Sequence, residues 1–208
     1  MVYNRFVTLK LTNRQQQILI GMTLGDAYLQ KTGKQNARIR LEHSIKQKDY
    51  LMWKASQFSE LFQGKPTTIR RYNERFGKTY EYVRLQSNSS PVIGQLRQQF
   101  YDEKSGKKLI PGNIKNLLKA PIALAIWFMD DGYYYFRDKM SYIYLPNASQ
   151  ESFNLLLEAL KVNFDLSPKL KKKKRGWCLS FGVKETSKLV KIISSHVFES
   201  MLYKLPTK

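Results

Sequence analysis

Two apolar stretches of the chain have helical spacing and end at acidic residues. Residues 19–28 read LIGMTLGDAY and contain Asp26, and residues 124–134 read LAIWFMDDGYY and contain Asp130 and Asp131. Both stretches run directly into aromatic, strand-like segments. A carboxylate at the end of an apolar helix is costly unless it faces water, a cation or a metal ion. The pattern therefore predicts that the two helix ends supply paired metal ligands.

The alternation of apolar and polar positions predicts the same order of elements twice. Thr12 and Gln15 have the spacing of a capping box that starts a helix. Each half then reads helix, two strands, helix, two strands, helix, followed by a lysine close to a proline. Predicted helices cover residues 12–26, 48–62, 91–100, 121–131, 149–164 and 184–197, and predicted strands cover 27–30, 38–41, 67–72, 80–86, 133–136, 142–145, 169–174 and 177–181. We predict halves at residues 1–101 and 121–208, joined by a linker at 102–120.

The composition favours a polyanionic partner. The chain has 36 Lys and Arg against 16 Asp and Glu, and its net charge of +20 divides into +14 in residues 1–120 and +6 in the remainder. A folded protein this basic is usually matched to phosphates, although a general solubility bias would give the same charge. Cys178 is the one cysteine, which excludes an intrachain disulfide and fits a reducing compartment. His43 and His196 are too few for a zinc cluster, and the longest apolar runs are too short to span a membrane.

These features resemble the LAGLIDADG homing endonucleases. The nine-letter signature aligns without gaps to residues 19–27, where Leu, Gly and the late Asp match, and to residues 124–132, where Leu, Ala, Asp and Gly match. Phrases such as LAIWFMDDG, KKLIP and YKLP are closest to the single-chain, two-motif, intron-encoded members. The resemblance covers nearly the whole chain. It implies an α+β monomer of two pseudo-symmetric αββαββα halves, packed through the motif helices, each with a four-stranded antiparallel sheet that lies along DNA.

The motif glycines fit this packing. Gly21 and Gly25 lie four residues apart on one helical face and would permit close approach of a partner helix. The second copy has Ile126 and Asp130 at the matching positions, so we expect the packing to be asymmetric there. Ordinary core helices of a basic α/β protein are the alternative. That alternative explains the apolar stretches but leaves the two terminal aspartates without a reason.

The resemblance also implies a catalytic centre. Asp26 and Asp131 match the metal-binding aspartates of the family, and the carbonyls of Gly25 and Asp130 match its backbone ligands. Lys108 and Lys204 match basic residues near the scissile phosphates, although each could equally be a solvated surface lysine. Carboxylates suit Mg²⁺, which keeps several waters and supports phosphodiester hydrolysis. We expect Mg²⁺ as the cofactor, Mn²⁺ as a substitute, and Ca²⁺ to support binding.

Basic and amide side chains on the predicted hairpins are candidates for DNA contact. Arg and Lys read guanine in the major groove, and Gln or Asn reads adenine, but many basic residues meet only phosphate or nothing. The aromatic residues of Tyr133–Phe136 could equally belong to the core of the strand. The candidates are Arg38, Arg40, Arg70, Arg71, Arg75, Lys78, Arg84, Arg137, Lys171, Lys172, Lys173, Lys174, Arg175, Gln30, Gln35, Asn36, Gln86, Tyr142 and Tyr144.

The function implied by the resemblance is a monomeric, sequence-specific, metal-dependent endonuclease. It would cut both strands of a long asymmetric duplex site across the minor groove and leave short 3′ overhangs. An RNA maturase that binds its own intron RNA is one alternative, and a non-catalytic DNA-binding regulator is another. Retention of both aspartates and both lysines argues against the regulator. We expect an intracellular protein, and the sequence leaves open a mitochondrion, a chloroplast or the prokaryotic cytoplasm.

Overall fold

The first helix begins at the predicted capping box. Thr12 Oγ1 accepts a hydrogen bond from the backbone N–H of Gln15 (3.2 Å), and Gln15 Oε1 accepts one from the backbone N–H of Thr12 (3.0 Å). The computed structural model describes residues 10–174 and 176–206. Arg175, one of the DNA-contact candidates, lies outside these described residues.

The described elements follow the predicted order. The helices are α1 (Asn13–Leu24), α2 (Lys48–Ser56), α3 (Pro91–Phe100), α4 (Ile114–Leu117), α5 (Pro121–Asp131), α6 (Gln150–Phe164) and α7 (Val183–Ile193). The strands are β1 (Tyr28–Lys31), β2 (Ala37–Ser44), β3 (Thr67–Asn73), β4 (Lys78–Gln86), β5 (Gly132–Tyr135), β6 (Met140–Tyr144), β7 (Lys169–Lys173) and β8 (Gly176–Phe181). The order αββαββα therefore occurs twice, and the α+β prediction is confirmed.

Three helices end before the predicted residue. Helix α1 ends at Leu24 instead of reaching residue 26, and helix α2 ends at Ser56 instead of reaching residue 62. The carbonyl of Gln57 accepts a hydrogen bond from the side chain of Gln15 (2.9 Å), and the N–H of Leu61 turns to Phe58 instead. The i to i−4 pattern has already ended at Phe58, whose N–H donates to the carbonyl of Ala55 (2.9 Å). Helix α7 ends at Ile193 and continues as a 3₁₀ turn at Ser194–His196.

Each half contains one antiparallel four-stranded sheet, with strand order β1-β2-β4-β3 in the first and β5-β6-β8-β7 in the second. The alternation along β2 sets the faces, because Ala37, Ile39 and Leu41 are buried whereas Arg38 and Arg40 are only partly buried. One face of each sheet covers the helices. The opposite face, called here the open face, carries the partly buried and exposed side chains.

Helices α1 and α5 pack closely against each other at the centre of the molecule. Helix α1 is buried from Ile18 to Leu24, and α5 is buried from Ile122 to Met129. A Cβ added at Gly21 would lie 2.4 Å from the carbonyl oxygen of Ala123, so only glycine allows this approach. The predicted close packing of the motif helices is confirmed. No helix within the described ranges has the length and apolar character needed to cross a membrane.

The segment between the halves is anchored to α1 and to the site described below. The side chain of Gln17 donates to the carbonyl of Leu117 (2.9 Å) and accepts from the N–H groups of Lys119 (3.0 Å) and Ala120 (2.9 Å). Tyr101 and Lys108 form an isolated antiparallel bridge. This bridge turns the chain back toward the motif helices. The exact division into halves at 1–101 and 121–208 stays a prediction.

Candidate active site

The two motif aspartates lie at the C-terminal ends of the paired helices. Asp131 is the last residue of α5, and Asp26 lies two residues past the end of α1. Burial, then Asp26 and Asp130, raise the pKa of Asp131 to about 7. Desolvation and Asp130 likewise raise the pKa of Asp26. A group of carboxylates that resist ionisation together is a site that favours a bound cation.

Lys108 and Lys204 occupy matching positions around these helix ends. Lys108 Nζ donates to the carbonyl oxygens of Gly25 (2.6 Å) and Ala27 (3.1 Å). Lys204 Nζ donates to the carbonyl oxygens of Met129 and Asp130 (3.0 Å). Burial lowers the pKa of both lysines below the usual value. Both lysines are therefore partly buried site residues, and each holds a carbonyl that was predicted to face the metal.

Asp130 differs from its neighbour because its side chain is fully buried and fully engaged. Its Oδ1 accepts from Tyr50 Oη (3.0 Å) and Lys54 Nζ (2.9 Å), and its Oδ2 accepts from Lys54 Nζ (3.1 Å) and the N–H of Asp26 (3.1 Å). A carboxylate has about four acceptor positions, so none is left for a metal ion. Burial by itself would raise the pKa of Asp130, but the charge and hydrogen bonds of Lys54 bring it below its usual value.

Three residues of this site were not identified from the sequence. Tyr50 and Lys54 lie four residues apart on α2, and the Lys54 side chain is fully buried. Their helical spacing with the apolar residues Leu51 and Ala55 was the available signal, because it places Lys54 on the buried face. His43 occupies an inward-facing position of β2, and the alternation of apolar and polar residues along that strand was the signal that could have identified it.

His43 lies beside Asp26 as a neutral side chain. Its Nδ1 is 3.7 Å from Asp26 Oδ2, and burial together with Lys54 lowers its pKa to about 4. Ligand atoms of Asp26, His43 and Asp130 lie within 4.8 Å of one another. Because the Asp130 carboxylate is saturated, this trio does not form an open metal site.

The remaining oxygen atoms fit a divalent cation. Asp26 has a side chain that is 44% exposed, and Asp131 is half-buried beside a depression that Gly25 and Lys108 also line. The carbonyls of Gly25 and Asp130 each have a second lone pair beyond the one that the lysine uses. Carboxylate and carbonyl oxygens are the donors that Mg²⁺ prefers. The donor set therefore matches the predicted cofactor in chemistry.

The open face of the first sheet carries most of the predicted base-reading residues. Register pairs Gln30 with Arg38, and Arg40 with Gln86, so these four side chains share a face. Arg38 Nε donates to Gln30 Oε1 (3.1 Å). Arg71 and Arg84 lie on the same face, and both form ion pairs with Glu42 (2.6 and 2.7 Å).

Most other candidates in the first half lie elsewhere. Arg70 pairs in register with Glu81 and forms an ion pair with it (2.8 Å), which places it on the face opposite Arg71. Arg70 and Arg71 do not share a face because neighbouring strand residues point to opposite faces, and contact of Arg70 with DNA stays a prediction. Gln35, Asn36 and Arg75 lie outside the strands, whereas Lys78 begins β4 and, by the alternation of that strand, shares the open face with Arg84 and Gln86.

The open face of the second sheet is aromatic and lysine-rich. Tyr133 stacks on Tyr142 (centroids 5.1 Å apart) and on Tyr144 (5.8 Å). Lys173 Nζ lies 3.3 Å from the Tyr142 ring centroid and donates to Tyr133 Oη (2.9 Å). Register places Lys171 on this face as well. The tyrosines therefore belong to the open face and not to the helix-covered core.

The other basic candidates of the second half are not on this face. Lys172 lies on the opposite face near the Trp177 ring (5.9 Å), and Lys174 lies in the turn after β7. Arg137 lies in the turn between β5 and β6 and pairs with Asp138 (3.0 Å).

Comparison with known proteins places this fold and site in a family. The sequence model of the LAGLIDADG DNA endonuclease family matches residues 16–189. Probable intron-encoded endonuclease 1 of Wickerhamomyces canadensis is 26% identical over 200 residues, covering 94% of this chain and 85% of the relative. Protein RecA of Mycolicibacterium fallax is 26% identical over 211 residues, covering 94% of this chain. The chain spans 47% of that RecA and 28% of another, so it corresponds to half or less of these relatives.

A solved structure shows the same architecture. The homing endonuclease I-WcaI, bound to its DNA recognition sequence, superposes with a TM-score of 0.86 at 23% identity. The superposition covers 96% of this chain and 89% of that chain, so the two share a fold over nearly their whole length. The chain belongs to the LAGLIDADG DNA endonuclease family.

Proposed function

We propose that this chain is a sequence-specific, divalent-metal-dependent endonuclease that hydrolyses both strands of duplex DNA. The observation that carries the proposal is the meeting of Asp26 and Asp131 at the ends of paired helices, with Lys108 and Lys204 on the adjoining carbonyls. The relative in Wickerhamomyces canadensis that is named as a probable intron-encoded endonuclease adds support. A DNA-binding regulator would gain nothing from grouped carboxylates, because they repel phosphate.

The site residues have distinct roles in hydrolysis. Asp26, Asp131 and the carbonyls of Gly25 and Asp130 would hold divalent metal, with one carboxylate for each strand that is cut, and the metal would offset charge on the scissile phosphate and favour deprotonation of water. The ammonium groups of Lys108 and Lys204 lie at the carbonyls of Gly25 and Asp130. Their N–H donors and positive charge would there stabilise the negative charge that develops on phosphate oxygens. Their carbonyl hydrogen bonds hold them in place before DNA arrives.

The two sheets supply binding to a long, asymmetric site. Arg38, Arg40, Gln30 and Gln86 share one open face and have the hydrogen-bonding groups that read guanine and adenine in the major groove. Lys171 and Lys173 on the second sheet suit phosphate contact. Because both halves belong to one chain, a monomer suffices for both half-sites. A DNA substrate implies that the protein acts inside a cell, either in an organelle or in a prokaryote.

An RNA maturase is the second use that this scaffold could serve. The proposed endonuclease is favoured because strand hydrolysis requires carboxylates and lysines at one point, whereas support of RNA folding requires only a binding surface. Binding of intron RNA and cutting of DNA are separate measurements, and either can be positive alone.

A selection experiment tests the proposal. The purified chain is incubated with a randomised duplex library and Mg²⁺, and cleaved ends are sequenced. We expect the cleaved ends to share one long asymmetric consensus and to carry short 3′ overhangs. Mn²⁺ should also support cleavage, whereas Ca²⁺ should support binding without cleavage. Equal cutting in the presence of a chelator, or tight binding with no cleavage under any of these ions, would contradict the proposal.

A further inference from the structure

The backbones at the two motif aspartates are held in different ways. Asp131 belongs to α5, so its N–H lies within the hydrogen-bond ladder of that helix. Asp26 lies beyond the end of α1, and the carbonyl of Met22, four residues before it, accepts from the N–H of Ala27 instead (2.9 Å). The Asp26 N–H donates to the Asp130 carboxylate (3.1 Å), which belongs to the other motif. The first motif therefore depends on the second for the placement of its aspartate.

The acceptor is itself fixed from a third element. Lys54 and Tyr50, both on α2, bind Asp130 at 2.9 Å and 3.0 Å, and the Lys54 and Asp130 side chains are fully buried. The missing side chain of Gly25 provides the space, because a Cβ there would lie 2.5 Å from Asp130 Oδ2. The residue matching Asp130 in the first motif is Gly25 itself, so the arrangement has no counterpart on the other side.

We propose that Lys54, Tyr50 and the Asp130 side chain form a positioning unit that aligns the backbone of Asp26. The proposal rests on the proposed endonuclease function. None of the three side chains is assigned to the reacting atoms, and the contact through which the unit is proposed to act is the hydrogen bond from the Asp26 N–H to the Asp130 carboxylate. Since Asp131 is held by its own helix, the two strand cleavages differ in their dependence on the unit.

The choice of variants separates positioning from stability. Lys54→Met alone would leave a buried carboxylate without its cation, and that protein is expected to fold poorly. Two double variants remove both charges together. Lys54→Met with Asp130→Asn keeps an oxygen that can accept from the Asp26 N–H, whereas Lys54→Met with Asp130→Leu has none. Lys115→Met with Glu158→Gln neutralises an ion pair between α4 and α6 and serves as the matched control.

The assay follows each strand of the selected site separately. A duplex labelled differently on its two strands gives both single-turnover rates with Mg²⁺, and binding with Ca²⁺ and the thermal midpoint are measured beside it. We expect the Leu variant to change the ratio of strand rates by about tenfold or more, because small misplacement of a catalytic group costs one to two orders of magnitude. Nicked DNA accumulates, DNA affinity is nearly unchanged, and the Asn variant recovers most of the ratio.

The outcomes that overturn the proposal are distinct. Equal slowing of both strands, an unchanged ratio, or the same ratio for the Asn and Leu variants would mean that the unit only supports folding. If the Leu variant does not fold, Tyr50→Phe replaces it, and a folded Tyr50→Phe protein with the parental ratio overturns the proposal. Absence of cutting by the parent chain is a failure of the proposed function, and it is seen in the parent reaction alone.

Discussion

Lys108 donates a hydrogen bond to the carbonyl oxygen of Gly25 at 2.6 Å, and this contact joins the segment between the halves to the end of the first motif helix. Lys204 makes the corresponding contact with the carbonyl of Asp130 (3.0 Å). The two lysines come from different parts of the chain, yet they meet equivalent atoms. A surface lysine kept for solubility alone would not be buried against a helix end, so a catalytic role is the better account of both.

Replacing either lysine should slow cutting without loss of affinity. Lys108→Met and Lys204→Met remove a charge that acts on developing phosphate charge, and we expect cleavage to fall by about 10²–10³-fold. Single-turnover rates with Mg²⁺ and affinities with Ca²⁺ measure the two effects. Lys107→Met is the control, because Lys107 is an exposed neighbour. Parental rates in both active-site variants would show that the lysines are only structural.

The stability of the metal-free protein should depend on pH through Asp131. Its folded pKa is about 7, above the ordinary value of 3.8, so the folded state favours the protonated form. Its favourable contribution is complete below the unfolded pKa and is lost as pH rises from about 4 to about 7. Asp131→Asn has no such loss. In chelator, we expect the thermal midpoint of Asp131→Asn to rise relative to that of the parent protein as the pH increases across this window. A difference in thermal midpoint that does not change with pH would contradict the assignment.

The contact between the motif helices should tolerate no added side chain at Gly21. A Cβ there would meet the backbone oxygen of Ala123 at 2.4 Å, and backbone cannot move aside as a flexible side chain can. We expect Gly21→Ala to lower the free energy of unfolding by about 1–3 kcal/mol, the usual cost of overpacking. Gly112→Ala is the control because open space surrounds that position. Denaturant titration of both variants decides between a tight and a loose interface.

Arginines on opposite faces of the first sheet should behave differently. Arg40 lies on the open face, stacked over the Tyr28 ring at 4.7 Å, whereas Arg70 lies on the other face beside Glu81. We expect Arg40→Ala to cost about 1–3 kcal/mol of binding and to relax the sequence preference at one position. Arg70→Ala should leave the consensus unchanged. Equal effects of the two variants in a binding titration would show that the register does not select the DNA-facing residues.

Local patterns were enough to predict the elements and the site aspartates. The capping box at Thr12, the helix end at Asp131 and the close approach at Gly21 are each encoded within a few neighbouring residues. Each of these features depends on interactions between neighbouring residues or on the repeated motif, so it can be predicted from the sequence. The repeated pattern left both Asp130 and Asp131 as counterparts of Asp26, and the choice of Asp131 came from the resemblance to the family motif.

Features that depend on distant partners could not be predicted in this way. The spacing of Lys54 with Leu51 and Ala55 places it on the buried face of α2, but its partner Asp130 lies 76 positions away and is not indicated by the neighbouring residues. The face of the sheet on which Arg70 lies depends on how β3 pairs with β4. In each case the deciding interaction joins residues whose proximity only the tertiary fold creates.

The central claim is that Asp26 and Asp131 carry metal-dependent cleavage while the sheets carry binding. The most direct measurement is cleavage of the selected duplex with Mg²⁺ by Asp26→Asn and Asp131→Asn, with binding in Ca²⁺ measured on the same preparations. We predict double-strand cleavage lower by roughly three orders of magnitude or more, because a metal ligand is lost. Cognate binding should persist. Parental cleavage rates in both folded variants would contradict the account.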